Sequence, residues 1–323
     1  MNKYLTNAES FLKKCLFDGL AHSYDTKTNT FVKPYPEVTG YVIKYLCDYC
    51  DASDDDNVKA ARKKLIELQH KKGGYRTFFN NRYLFSFDTA QIINGLCSLY
   101  SKKPDSELLN TIKKGGNFLL KMQMPNGSFY PVYDCYLHCR RKPKEMYNLW
   151  DGPISGINCK ITETLSSCYE VTGDKRFKEA IEIAGSFYKK SRPLKHTHPL
   201  GYWLEGLYQV GEVEFVKEFL IKEVLSRIED NGFISYDGTL DYSYMSGEIQ
   251  LAILLAKVGQ IDAAKRIRNF ARIVQQNNCT GGIIQYATRS GEIDNHVHAE
   301  VNSWGTKYFC ELERILQSYE KDN

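Results

Sequence analysis

A turn recurs along this chain, and its spacing limits the fold more than any other feature. It reads Leu68-Gln-His-Lys-Lys-Gly-Gly-Tyr75 at one copy and Met122-Gln-Met-Pro-Asn-Gly-Ser-Phe129 at the next. Later copies are Glu229-Asp-Asn-Gly-Phe233 and Gln275-Gln-Asn-Asn-Cys-Thr-Gly-Gly-Ile283. With Gly74, Gly127, Gly232 and Gly282 as the turn glycines, the separations are 53, 105 and 50 residues. The unit is therefore about 52 residues, with one copy lacking its glycine, and such a period marks a repeat architecture. Six units fill nearly all of the 323 residues as one domain, 1–323.

Helical patterns fill those units in two alternating sets. One set covers roughly 7–18, 55–71, 105–123, 175–190, 212–228 and 260–276 and carries many lysines and glutamates, as at Lys59, Arg62, Lys63 and Lys64. That is the spacing of a solvated face. The other set covers roughly 37–50, 87–101, 155–171, 198–211, 244–258 and 299–317 and is poorer in charge. A helix apolar nearly all round is a buried one. A polar outer ring around an apolar inner ring predicts an all-α (α/α)6 toroid of six helical hairpins. An open helical solenoid without a site is the alternative. Asp105 and Asp174 fit helix N-caps, and Gly173, Gly211 and Gly259 fit the left-handed position after a helix.

Composition narrows the function classes. A net charge of +4, with 42% hydrophobic and 25% charged residues, is ordinary for a globular chain. Nucleic acid as a partner calls for a concentrated basic face, which this balance does not announce. The N-terminus lacks the apolar run of roughly 7–15 residues of a signal peptide. No stretch approaches the ~20 apolar residues of a membrane span. A soluble, cytoplasmic protein is expected, and its ten cysteines are read as reduced thiols. The 23 tyrosines suit a wall that is both wet and adhesive, since each pairs an apolar ring with a polar tip.

The long loops all precede inner helices, so a closed toroid gathers them over one mouth. Each inner helix begins with residues able to do chemistry. They include Tyr35, Glu37 and Tyr41; Asp88 and Gln91; Trp150, Asp151, Asn158 and Lys160; and His196, His198 and Tyr202. The last two helices add Tyr242, Tyr244 and Glu248, then His296, His298, Glu300, Asn302 and Trp304. Glu37 and Asp88 stand at equivalent places on consecutive inner helices. Cleavage of a glycosidic bond needs two carboxyl groups about 5–10 Å apart, and neighbouring helix axes lie about 8–10 Å apart. Glu248 and the four histidines are further candidates for proton transfer. Tyr75, Arg76, Tyr130 and Arg140 are candidate substrate contacts from the loops. Arg140, Arg141, Lys142 and Lys144 form a basic run suited to a carboxylate or phosphate.

Two metal readings are weaker. His196-x-His198 and His296-x-His298 have a spacing that splits the rings between helix faces. Cys47-x-x-Cys50 falls late in an inner helix, away from Cys135-x-x-His138-Cys139 in the longest loop. Neither a metal nor a cofactor is expected.

Several segments together resemble squalene-cyclase-like α/α-toroid proteins of polysaccharide biosynthesis clusters. They are Tyr35-Pro-Glu-Val-Thr-Gly-Tyr41, Phe87-Asp-Thr-Ala-Gln91, His196-Thr-His-Pro-Leu-Gly-Tyr202, Ser246-Gly-Glu-Ile-Gln-Leu-Ala252, Gly281-Gly-Ile283 and Asn302-Ser-Trp-Gly-Thr-Lys-Tyr-Phe309. They span nearly the whole chain in order, and the resemblance implies a toroid working on carbohydrate. Terpene cyclases and prenyltransferase β-subunits share the toroid. Asp54-Asp-Asp56 lacks the spacing of a cyclase acid motif, and Asp48-Tyr-Cys50 lies at the wrong helix end for a prenyltransferase zinc. The expectation is a carbohydrate-active enzyme, whether hydrolase, lyase or uronate epimerase, on a saccharide or lipid-linked glycan. In the last two cases histidines and tyrosines would move the proton. An isoprenoid cyclase or transferase and a non-catalytic glycan-binding scaffold are the alternatives.

Overall fold

Where the sequence alternates charged and apolar stretches, helices form and sort by that alternation. A computed structural model describes residues 2–32, 34–77, 80–142, 156–191, 195–293 and 300–321. Among these, the outer helices are α1 (Lys3–Cys15), α3 (Asp56–Leu68), α5 (Ser106–Met122), α7 (Lys175–Tyr188), α9 (Val213–Phe219) and α11 (Ile261–Gln276). The inner helices are α2 (Pro36–Cys50), α4 (Ser86–Lys102), α6 (Ile161–Thr172), α8 (Thr197–Gln209), α10 (Met245–Lys257) and α12 (Ser303–Lys321). A 3-10 turn at Ile157–Lys160 leads into α6. Past α9 the chain widens into a π turn at Leu220–Val224 and tightens again at Leu225–Arg227, so the expected single helix over 212–228 is irregular.

The inner helices contact one another in sequence order, and α12 returns to pack on α2. That closure excludes the open solenoid. Outer helices lie over the seams: α5 on α4 and α6, α7 on α6 and α8, α11 on α10 and α12. Along α10 every residue from Met245 to Ala256 is buried, which explains its lack of charge apart from Glu248. The tightest seam joins α2 to α4. A Cβ on Gly40 would stand 2.4 Å from the Gln91 carbonyl oxygen, and one on Gly95 would stand 2.3 Å from that of Gly40. Only glycine lets two backbones approach so closely.

The recurring turn has a mechanical role. Gln69 Nε2 donates to the carbonyls of Gly73 and Thr111 at 3.1 and 2.9 Å. Gln123 does the same to Gly127 and Ala180, at 3.3 and 2.8 Å. Gln275 closes the ring by donating to Gly281 and to Tyr4 on α1, at 2.6 and 3.0 Å. Each glutamine thus ties its own turn to the next outer helix. In the copy at Glu229 the staple comes from the other side, where Arg266 reaches the Glu229 carbonyl. Two of the expected turn glycines are corrected by one position: Gly73 and Gly281, not Gly74 and Gly282, hold the left-handed backbone. The expected caps form. Asp105 and Asp174 accept from the amides of Leu108 and Arg176, and Gly173, Gly211 and Gly259 all have positive φ.

Short strands, unforeseen in the sequence, stitch the mouth loops together. Tyr24–Asp25 pairs with Glu300–Asn302, joining the first loop to the last. Asn80–Phe85 pairs with Val132–Asp134, and Tyr242–Tyr244 with Tyr286–Thr288. Residues 300–302, expected to be helical, therefore lie outside α12. Asn302 caps that helix instead, its Oδ1 accepting from the Gly305 amide at 2.6 Å. Threonines one turn into three inner helices dock the strands. Thr39, Thr89 and Thr306 each accept from a loop amide, of Ala21, Tyr75 and Ile283, at 2.8–2.9 Å. Among the described residues no helix is long and apolar enough to cross a membrane.

Candidate active site

The N-terminal ends of the inner helices open into a cavity of about 250 Å³. Its polar wall is Tyr35, Glu37, Asp88, His198 and Tyr244. Val38, Phe87, Ile157, Tyr202 and Trp304 complete it. This mixture of apolar lining and a few convergent polar groups is that of a small-ligand site. Glu37 and Asp88 face it from adjacent helices. The Gly40 contact on Gln91 sets their level: each carboxylate stands three residues, about one turn, ahead of that closest approach.

Below the opening lies a floor of phenols. Tyr41 and Tyr202 meet hydroxyl to hydroxyl at 3.3 Å. The rings of Tyr41 and Tyr308 are 5.9 Å apart, and Phe87 packs edge-on to Tyr202 at 4.9 Å. Burial holds the Tyr41, Tyr202, Tyr244 and Tyr308 hydroxyls well above their ordinary pKa. They remain protonated, so they donate hydrogen bonds and do not serve as bases.

A buried ion cluster underlies that floor. Lys160 Nζ sits 2.7 Å from Glu163 and 2.8 Å from Glu205, and it lies 5.8 Å from the Tyr202 ring centre. Burial opposes its charge, but the two carboxylates outweigh that and hold its pKa above the usual value. Burial likewise opposes ionisation of Glu163, which Lys160, Lys44 and Lys307 nevertheless keep far below the carboxylate range.

The cluster reaches the cavity through Gln250. Its Nε2 donates to Glu205 at 2.9 Å, which turns its Oε1 toward His198 Nδ1. Nδ1 therefore carries the His198 proton, and Nε2 is the accepting nitrogen. Burial pushes the His198 pKa down to about 3, against the pull of the Gln250 hydrogen bond, with the Lys160 charge adding to the fall. The ring is neutral over the whole physiological range. It sits between the Tyr202 and Tyr244 rings, tilted against each, with centroids 4.4 and 4.9 Å away.

Other expected site residues lie elsewhere. Glu248 is fully buried and not on the cavity wall. Burial raises its pKa well above the carboxylate range, against Ser243, nearby amides and Arg227. His196 begins α8 and stacks on Tyr236 at 4.7 Å. Tyr75 and Gln91 are core residues, Arg76 is exposed on a strand, and Asn158 lies by the turn before α6. Tyr242 and Glu300 belong to the mouth strands. Tyr130 and Arg140 line a different hollow. Trp150, Asp151, Lys144, His296 and His298 fall outside the described residues. Among the described residues no three His, Cys, Asp or Glu side chains gather as metal ligands, and Cys50 lies against Glu9. Sequence reasoning missed Glu205, Glu163 and Tyr308. A carboxylate one turn below Tyr202, inside an otherwise apolar helix, was the available signal for Glu205.

These features define a class: a six-hairpin α/α toroid whose mouth holds two carboxylates among aromatic rings. Solved structures share that fold at low sequence identity. An unsaturated glucuronyl hydrolase specific for heparin superimposes with a TM-score of 0.71 at 12% identity, covering 99% of this chain and 97% of its own. Cellobiose 2-epimerase from Spirochaeta thermophila gives 0.72 at 14%, covering 98% of both chains. D-Mannose isomerase gives 0.69 at 10%, covering 99% and 98%. At such identities the likeness is one of fold, and it gives no support to a squalene-cyclase-like label. No family model and no curated protein matches the sequence.

Proposed function

We propose that this protein is a carbohydrate-active enzyme that hydrolyses a glycosidic bond in the toroid mouth, with Glu37 and Asp88 as the catalytic pair. The observation that carries this reading is that both carboxylates line one small cavity whose other walls are aromatic or apolar. One carboxyl group protonates the leaving oxygen while the other activates water or attacks the sugar carbon. Tyr202, Tyr244 and Trp304 offer faces to the sugar ring, and the accepting nitrogen of His198 suits a sugar hydroxyl. Three fold neighbours are named for acting on sugars, which supports the substrate class and leaves the reaction to the site.

The same electrostatics argue against His198 and the buried tyrosines as the base for proton abstraction from a sugar carbon. A base must accept a proton near neutral pH. His198 resists protonation until about pH 3, and the buried phenols resist losing theirs. Two carboxylates and an imidazole in the cavity wall likewise suit a sugar better than an isoprenoid. Of a free saccharide and a lipid-linked glycan, the cavity's size supports the former, and a biosynthetic setting rests on the sequence resemblance alone.

Glu37→Gln and Asp88→Asn test the reading. Each is expected to lower turnover by about 10²–10⁴ while saccharide binding, followed by ligand-observed NMR, persists. Full turnover in both variants would remove the pair from catalysis. Binding without turnover in the unaltered protein would favour a glycan-binding module.

A further inference from the structure

A second hollow, of about 650 Å³, shares no lining residue with the cavity. It lies between the end of α5, the turn at residues 70–73 and the Val132–Asp134/Cys139–Arg141 hairpin. Lys71, Lys72, Lys121 and Arg140 line it, and among the described residues no Asp or Glu does. Among the described residues none of these four cations is in an ion pair. The whole chain has a net charge of only +4, so this is a local concentration and not a general basicity.

Two tyrosines fix the charges in place. Arg140 lies 5.3 Å from the Tyr130 ring centre, and Lys72 lies 5.6 Å from that of Tyr133. The Arg140 guanidinium is anchored further by the Lys121 carbonyl at 2.8 Å. In the hairpin Tyr133 pairs directly with Arg140, so both project from one face. Two cations held over aromatic rings beside two more, with no described carboxylate among them, form a receptor for anionic groups.

We propose that this hollow is a second saccharide site, which holds an acidic glycan by its carboxylate or sulfate groups. The ligand's charge follows from the four cations; its being a saccharide rests on the function proposed above. A nucleic acid fits less well, because its phosphates need cations spread along an extended face, and these converge in one hollow.

The test is calorimetric titration of the full chain with a heparin-derived hexasaccharide. Cellohexaose, inorganic sulfate and a single-stranded oligonucleotide serve as comparisons. The acidic hexasaccharide is expected to bind, more weakly as salt is raised, and cellohexaose is not expected to bind this hollow. Lys72→Gln/Arg140→Gln should weaken binding at least about tenfold and leave turnover in the cavity unchanged. Undiminished binding in that double variant would overturn the proposal, as would tighter binding of the oligonucleotide. Sulfate alone matching the hexasaccharide would reduce the site to an anion site and overturn it too. Asp88→Asn separates the two readings. Hexasaccharide binding that persists beside unimpaired turnover in that variant sinks the catalytic pair and leaves the hollow standing.

Discussion

Gln250 shows how one amide decides what a histidine can do. Its orientation is fixed by Glu205, itself held by Lys160, so the His198 tautomer depends on a charge two links below the cavity. Burial adds the second constraint. The folded His198 has a pKa pushed down to about 3, whereas an unfolded histidine titrates near about 6.5. Between those values the unfolded chain takes up a proton that the folded chain refuses. The stability contributed by neutral His198 is thus complete above about pH 6.5 and is lost as pH falls toward 3. The thermal midpoint is expected to drop as the pH is lowered through this window, and His198→Gln should flatten the drop. An unchanged slope in the variant would assign the effect to other groups.

At the scale of elements, the glutamine staples bear the repeat. Gln275 is buried and bridges the Gly281 and Tyr4 carbonyls, one of the links, beside Gln276 and Arg272 on Tyr4, that join the last outer helix to the first. Gln275→Ala leaves both carbonyls without that donor and is expected to cost about 1–3 kcal/mol, read as a shift in urea midpoint with unchanged m-value. No measurable shift would mean that water replaces the amide at no cost. The staple also shows what a sequence conceals. The recurrence of Gln and Gly was legible, and so were the helices other than α9, because each of those runs long enough to display its period, whereas α9 spans only Val213–Phe219 before the chain turns irregular. The strands were not, since all but Asn80–Phe85 run only two or three residues, too few to show alternation. Their partners are also distant: Val301 pairs with Tyr24.

For the molecule as a whole, the fold was readable because it repeats, and the site was readable only in part because a site breaks the repeat. Helix starts are marked by their residues, so Glu37, Asp88, His198, Tyr202, Tyr244 and Trp304 were found together in advance. Which way a side chain turns, on a helix or on a loop strand, is not marked. Tyr75 therefore faces the core, Glu248 lies buried off the wall, and Arg140 lines a separate hollow. The ring also explains why residues at six helix ends line one cavity. Closure of α12 on α2 brings the first and last hairpins to the same opening, where Tyr35 and Trp304 line one wall.

That shared opening is where the chemistry must be read out. A panel of neutral and acidic oligosaccharides, incubated with the protein in D2O and followed by proton NMR, separates bond cleavage from proton exchange at carbon. We expect new reducing-end signals with no deuterium entering a sugar carbon, and loss of the reducing-end signals in Glu37→Gln/Asp88→Asn. Deuterium incorporated at a ring carbon without cleavage would contradict the hydrolytic pair and place the reaction among epimerisations.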